Sequence, residues 1–428
     1  MTAADRGPQR TGLSAADLDA VDAALAPADA DRLARYPGDR TDRQPVHTVY
    51  VPADRVHADL APAWGAQARE ALRRHAAGPD ALAAATGLPA ADVADVWDLV
   101  LAKLDREPVE DLRVDLEDGY GTRPDAEEDA DALAAGTALA AAVAAGTAPP
   151  YLGVRFKSLE AGTRRRGLRS LDLLLGALLA DAGLPAGFVL TLPKVTSVAQ
   201  VDAMVDVCRR LERGHGLPDG VLRFEIQVET PQAVLLADGT AGVAPMVHAA
   251  AGRCSGLHFG TYDYTAALGV AGGFQALDHP AADHAKAVLQ LAAAGTGVRV
   301  SDGSTNLLPV GDRAAVHAGW ARHARLVRRS LERGFYQGWD LHPAQLPTRY
   351  LSTYLFFRTG LTSTGQRLRH YLAGRADGGA LDEPATAQAL AAALVRGAHC
   401  GAVTAAEVAA LTGADLAVVA ALADRRVG

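Results

Sequence analysis

Residues 222–232, LRFEIQVETPQ, and residues 255–269, SGLHFGTYDYTAALG, decide how this chain is read. Each holds a short apolar run, 222–228 and 256–259, and each run ends in a polar cluster with one prominent carboxylate, Glu229 in the first and Asp263 in the second. Short apolar runs bounded in this way are the pattern of buried strands. The alanine-rich stretch between them has the composition of a helix. Strand, helix and strand make a parallel crossover, so the two carboxylates arrive at the same end of one sheet. Two carboxylates placed together suit a hard divalent cation.

Working outward, the same alternation of apolar runs and helical segments recurs along the chain. Strands are expected at 46–51, 112–116, 151–156, 188–192, 222–228, 256–259, 297–301 and 337–341. Eight parallel strands alternating with helices close into a (β/α)8 barrel. An open doubly wound sheet is the alternative, but no G-x-G-x-x-G follows any of the runs to support a dinucleotide site. The barrel is expected to span 46–350. Within it, 56–108 reads as a helical insertion after the first strand, with a turn at Gly87 and Pro89. Residues 1–45, broken by Pro8, Pro27 and Pro37, read as a loose lead-in with a short helix around 15–25.

Beyond 350 the sequence is helical, with a polar Gly/Asp linker at 374–383 inside a C-terminal extension, 351–428. The terminal helices share a T-G turn with 81–104, and both segments are acidic, which favours packing on the barrel or a partner subunit over reading DNA. Alanine-rich helices with few large apolar residues make no independent core. They are expected to cap the barrel mouth or to lie at a contact in a homo-oligomer.

Composition narrows the function classes. The 428 residues are 49% apolar, enough for a large core, and 42 basic against 50 acidic residues leave a net charge of −8. A nucleic-acid reader would show a basic face, so no nucleic-acid partner is expected. The one basic cluster, Arg164, Arg165, Arg166 and Arg169, reads as a solvated helix start or as a contact for a ligand phosphate. No apolar stretch reaches the length of a membrane span, and no targeting segment is evident at the N-terminus. Three dispersed cysteines, Cys208, Cys254 and Cys400, offer neither a disulfide framework nor a metal site, and a cytoplasmic location fits them.

Polar residues gather at one end of the predicted strands. Glu117 and Asp118 follow the second, Arg155 and Lys157 the third, Lys194 the fourth, Glu229 the fifth, Asp263 the sixth, Asp302 the seventh and His342 the eighth. In a (β/α)8 barrel that end is where active sites are built. A carboxylate pair without a His or Cys cluster selects Mg2+, or Mn2+, over zinc. An ion held by two protein oxygens keeps positions open to chelate a 2-oxo acid and stabilise an enolate. Arg155 is placed to fix a substrate carboxylate through its planar fork, and Glu117 and Asp118 to orient metal-bound water or move protons.

The motifs VYVPADR (49–55), DLEDGYG (115–121), GVRFKS (153–158), TLPKVTS (191–197), QVETPQ (227–232), FGTYDYTAALG (259–269), VRVSDGSTN (298–306) and GWDLHPAQ (338–345) stand in a telling order. Over about 300 residues, 46–345, the chain resembles the citrate lyase beta subunit-like and HpcH/HpaI aldolase superfamily, with GLHFGTYDYT also similar to the metal-site loop of malate synthases. The resemblance implies a Mg2+-dependent carbon-carbon lyase or aldolase acting on a 2-oxo acid or a 3-hydroxyacyl-CoA thioester. It implies Glu229 and Asp263 as metal ligands, Arg155, Glu117 and Asp118 as catalytic residues, and Lys194, Gly260 and Thr261 as further substrate contacts beside Arg155. It also favours an oligomer.

The chain departs from the family where the lyase branch reads Arg-x-Asn and DLEDAV: here stand Arg155, Phe156, Lys157 and DLEDGYG. These changes touch the pocket rim, so the metal site transfers more safely than the substrate. A malate synthase-like condensation of an acyl-CoA with an oxo acid is the second enzymatic reading. A non-catalytic barrel scaffold, expected to lose polar strand ends, is the third.

Overall fold

A computed structural model describes residues 12–374 and 383–424. Eight strands form one parallel sheet: β1 (His47–Pro52), β2 (Asp111–Asp115), β3 (Tyr151–Arg155), β4 (Phe188–Leu192), β5 (Arg223–Val228), β6 (Cys254–Phe259), β7 (Arg299–Ser301) and β8 (Gly338–Asp340). Their order is β7-β6-β5-β4-β3-β2-β1-β8. The seam between β7 and β8 carries no ladder but is bridged by two backbone bonds, Asp302 N to Gln337 O at 2.9 Å and Trp339 N to Gly303 O at 3.2 Å. The result is a nearly closed α/β barrel of the TIM type, each expected strand falling on an observed one.

The strands bury two different faces. Outward residues such as Leu112, Val114, Phe224, Ile226, Val228 and Leu257 are buried, as a strand covered by helices requires. The inward face is charged, which the reading of these runs as apolar did not anticipate. Asp111, Arg113, Asp115, Arg155, Glu225 and His258 are all buried. Glu225 gathers the lower layer, with Arg113 Nη2 at 3.1 Å, His258 Nε2 at 3.0 Å and Thr191 Oγ1 at 2.6 Å. Gly153 makes room for this layer: a Cβ there would stand 2.9 Å from Arg113 Cδ and 1.9 Å from Val189 O.

Helices Leu60–His75, Pro79–Thr86 and Ala90–Arg106 fill the β1–β2 crossover. They pack on helices Arg313–Glu332 and Leu346–Arg358, and Val93, Val96, Val100 and Leu104 join the continuous apolar core. The helix expected around 15–25 continues to Arg35, past Pro27, from a Ser14/Asp17 capping box, and buries none of its residues. The lead-in after it is not loose. Arg43 pairs with Glu107 and Glu110, Gly38 N bonds Gly295 O at 2.8 Å, and Arg299 Nη2 bonds Asp42 O at 2.7 Å.

Of the expected linker, only Gly374 and Glu383 fall within the described residues. Helix Pro384–Cys400 packs on Leu346–Arg358, and with Val46 and Arg299, at strand starts, it encloses a cavity. It therefore lies under the floor of the barrel, not over the mouth. Among the described residues no single helix is long and apolar enough to cross a membrane.

Asp340 ties the end of β8 to its surroundings: His47 Nδ1 lies at 2.7 Å, His323 Nε2 at 3.0 Å, and Arg349 grips both oxygens at 2.9 and 3.0 Å. Asp340→Ala leaves the Arg349 guanidinium buried without a carboxylate. The expected cost is about 3–5 kcal/mol, read as a lower urea midpoint; an unchanged midpoint would mean that the hub is dispensable.

Candidate functional site

The C-terminal strand ends bring Glu117, Asp118, Arg155, Lys194, Glu229 and Asp263 into one cluster. β5 and β6 pair in parallel up to Val228 and Phe259, so Glu229 and Gly260 leave the sheet side by side. Asp263 stands in the first turn of the helix Thr261–Ala267 that follows β6. Gly260 has no room for a side chain: a Cβ would lie 2.5 Å from Glu229 Oε2.

Lys194 is the centre of the cluster. Its Nζ lies 2.6 Å from Asp118 Oδ2, 2.8 Å from Asp263 Oδ2 and 2.8 Å from Glu117 Oε1. Its backbone N–H donates to Glu229 Oε1 at 2.8 Å. To direct both groups into the site, Lys194 adopts φ of +52°, a left-handed conformation that a lysine rarely takes. One residue thus contacts four carboxylates.

The electrostatics follow from burial and from this ammonium. Glu229 is 3% exposed, and burial, with Asp263 and Glu117 adding to it, pushes its carboxyl up to about 8 despite Lys194 and Arg155 nearby. Burial likewise raises Glu117. Burial raises Asp118, but the hydrogen bond and charge of Lys194, with Arg155 and Glu117 adding to them, together outweigh it and hold the group below its ordinary value. Burial disfavours the Lys194 ammonium, but Glu229, Glu117, Asp118 and Asp263 outweigh it and hold the group well above its ordinary value.

Arg155 is placed differently from the expectation that its fork meets a substrate. Its Nε and Nη2 donate to the two oxygens of Asp115 at 2.8 and 2.7 Å. Only Nη1 is left toward the mouth, 3.4 Å from Gln227 Oε1 and 3.6 Å from Glu117 Oε2. The guanidinium lies over the Tyr50 ring, 4.7 Å from its centroid. Asp115 also accepts from Glu117 N at 3.0 Å and Gly119 N at 2.8 Å, so it shapes the DLEDG turn as well as orienting Arg155.

Asp115 and Gln227 were missed as site residues. Their signal was period-two alternation of polar residues, Asp111, Arg113, Asp115, Glu117 in one strand and Glu225, Gln227, Glu229 in the other, which marks one face of each strand. Thr261 Oγ1 is buried and finds no hydrogen-bond partner, and the Gly260 N–H is spent on Val228 O at 3.0 Å.

Other strand-end residues serve the scaffold. Asp302 takes Lys286 Nζ at 3.1 Å and Ser330 Oγ at 2.6 Å, and His342 caps the turn Pro343–Gln345. Lys157 pins the loop after β2 through Leu116 O at 2.7 Å and Glu128 at 2.8 Å. In the Arg cluster, Arg166 and Arg169 pair with Asp129, which commits these two guanidiniums to an ion pair at the helix start.

Among the described residues, no group of three or more His, Cys, Asp or Glu side chains is arranged to hold a metal ion. The reason is visible in the cluster: the Lys194 ammonium stands between the carboxylates. The donor chemistry itself fits a hard divalent cation, since the carboxylates of the cluster offer only oxygen, although Glu229 is buried and its two oxygens accept from Lys194 N–H and Gln227 Nε2.

The fold has solved relatives. A citrate lyase from Burkholderia xenovorans superposes with a TM-score of 0.54 at 21% identity, over 73% of this chain and 91% of that one. A malate synthase from Haloferax volcanii gives 0.47 at 18%, over 74% and 76%. CitE from Mycobacterium tuberculosis, solved with magnesium, acetoacetate and coenzyme A, gives 0.46 at 18%, over 85% and 100%. At such identities the likeness concerns the fold, and the last two are too loose to carry more. No curated protein matches the chain. A family model covers residues 25–427, and the chain belongs to that family, the domain of unknown function DUF6986.

Proposed function

We propose that the protein is a Mg2+- or Mn2+-dependent carbon-carbon lyase that cleaves a hydroxylated 2-oxo acid or 3-hydroxyacyl thioester through an enolate. The observation that supports this reading is the convergence of four carboxylates on one residue at the strand ends, Glu117, Asp118 and Asp263 on the Lys194 ammonium and Glu229 on its backbone N–H. A non-catalytic barrel has no need to hold so many acids at its mouth, where each buried charge costs stability. Glu229 and Asp263 would hold the metal, which supplies the positive charge that a 2-oxo acid chelates and that the developing enolate requires.

The chain's own residues do the remaining work. The proton that leaves the substrate hydroxyl as the carbon-carbon bond breaks goes to Glu117, whose buried carboxyl has a raised affinity for it. The same carboxyl returns a proton to the enolate carbon. Arg155 contributes its one remaining N–H edge, at Nη1, held rigid by Asp115. Lys194 neutralises Glu117, Asp118 and Asp263, and it would have to release Asp263 for that carboxylate to hold a metal.

Glu229→Gln should abolish Mn2+ binding, followed calorimetrically, and retro-aldol turnover of a hydroxy-oxo acid panel, with the circular dichroism spectrum unchanged. Retained Mn2+ binding would remove Glu229 from the site. Lys194→Met should tighten Mn2+ binding about tenfold or more, since the competing cation is gone; equal or weaker binding would show that the ammonium does not compete. The pH dependence has a definite sign. Glu229 is protonated below about 8, and the ion takes the carboxylate, so binding releases a proton. Mn2+ affinity should therefore fall about tenfold per pH unit below 8, and a flat profile between pH 6 and 8 would contradict the assignment.

A further inference from the structure

At the end opposite the mouth, a cavity of about 330 Å³ lies between the strand starts and the helix Pro384–Cys400. That volume sits at the lower end of small-molecule pockets, ~300–1,000 Å³. The floor of such a barrel is ordinarily packed and serves stability alone. Here four distant parts of the chain supply polar groups to it: Arg40 and Asp42, Gln290, Arg299, and Arg396 with His399.

Among the described residues, the charges that line the cavity do not balance. Three guanidiniums, of Arg40, Arg299 and Arg396, face two carboxylates, of Asp39 and Asp42. Arg40 Nε and Arg299 Nη2 both lean on Asp42, each at 2.9 Å, so one carboxylate serves two cations. Arg396 has no carboxylate partner among the described residues; its Cζ lies 4.3 Å from the centroid of the Tyr336 ring. Stacked by its face, the guanidinium keeps its N–H edge for a planar anion. The His399 ring makes no hydrogen bond to the described residues, and burial, reinforced by Arg43, Arg299 and Arg396, holds it below its ordinary value. Apolar side chains also line the cavity, those of Val46, Val298, Val300, Phe357 and Val395.

We propose that this cavity is a second ligand site, for a small organic monocarboxylate with an apolar body, whose carboxylate takes the free edge of Arg396 beside His399. One excess positive charge calls for a monoanion, and the apolar lining calls for more than a bare inorganic ion. The site is independent of the chemistry at the mouth. Its groups are cations where the mouth presents carboxylates, and no residue is shared.

Benzoate, titrated calorimetrically into the full chain at neutral pH, tests the proposal, with benzyl alcohol as its neutral counterpart. Benzoate should bind one to one and about tenfold or more tighter than benzyl alcohol. Arg396→Gln should weaken benzoate about tenfold or more and leave benzyl alcohol unchanged. Ala392→Trp, which fills the cavity without touching the mouth, should remove both. The comparison of the two probes needs no variant, so a misfolded mutant cannot conceal the answer. Equal affinity for the two probes, no benzoate binding, or wild-type benzoate affinity in Arg396→Gln overturns the proposal.

Discussion

A charge taken out of water needs a partner, and the lumen of this barrel is built on that constraint. Glu225 serves Arg113, His258 and Thr191 in one layer; Asp115 serves Arg155 in the next; Lys194 serves the four acids at the top. Each layer is supplied by several strands, so the pairings fix strand register as well as charge. A one-residue slip of β2 would turn Arg113 and Asp115 into the helix layer and Leu112 and Val114 into the lumen. The backbone is fitted to these pairs where they are tightest, with Gly153 under the Arg113 stem and Gly260 against Glu229.

The layers differ in what they leave unfinished. Lower down, the donors and acceptors of Glu225 and Arg113 are used up within the protein. At the mouth the balance is held by a single flexible side chain, with Asp118 and Asp263 about half exposed and Lys194 partly so. A lysine on a four-carbon stem can leave such a position, whereas the bidentate Arg155–Asp115 pair cannot. The top layer is therefore the one free to rearrange, and the strained backbone of Lys194 marks the place where the chain gives up local comfort to set it.

Much of this was legible in the sequence. The eight runs and the strand-end positions of Glu117, Lys194, Glu229 and Asp263 follow from periodicity and from counting residues past each strand, which require no tertiary knowledge. The partners of those residues do not follow. That the Arg155 fork belongs to Asp115 depends on the stagger between β2 and β3, and that Lys194 reaches Asp118 and Asp263 depends on rotamers and a positive φ. The course of the helix through Pro27 and the position of Pro384–Cys400 under the floor were equally out of reach, since both depend on packing geometry rather than local pattern.

A lumen full of ion pairs contributes little net stability, because desolvation of each charge offsets most of its attraction. The apolar burial that holds the fold must then come from the layer between strands and helices. This accounts for the three-helix crossover after β1, which a bare parallel connection does not need. Val93, Val96, Val100 and Leu104 extend the outer core across helices Arg313–Glu332 and Leu346–Arg358. Leu394, Val395 and Cys400 extend it again beneath the floor. A barrel with a polar interior has to bury its apolar surface elsewhere, and the added helices are where this chain does so.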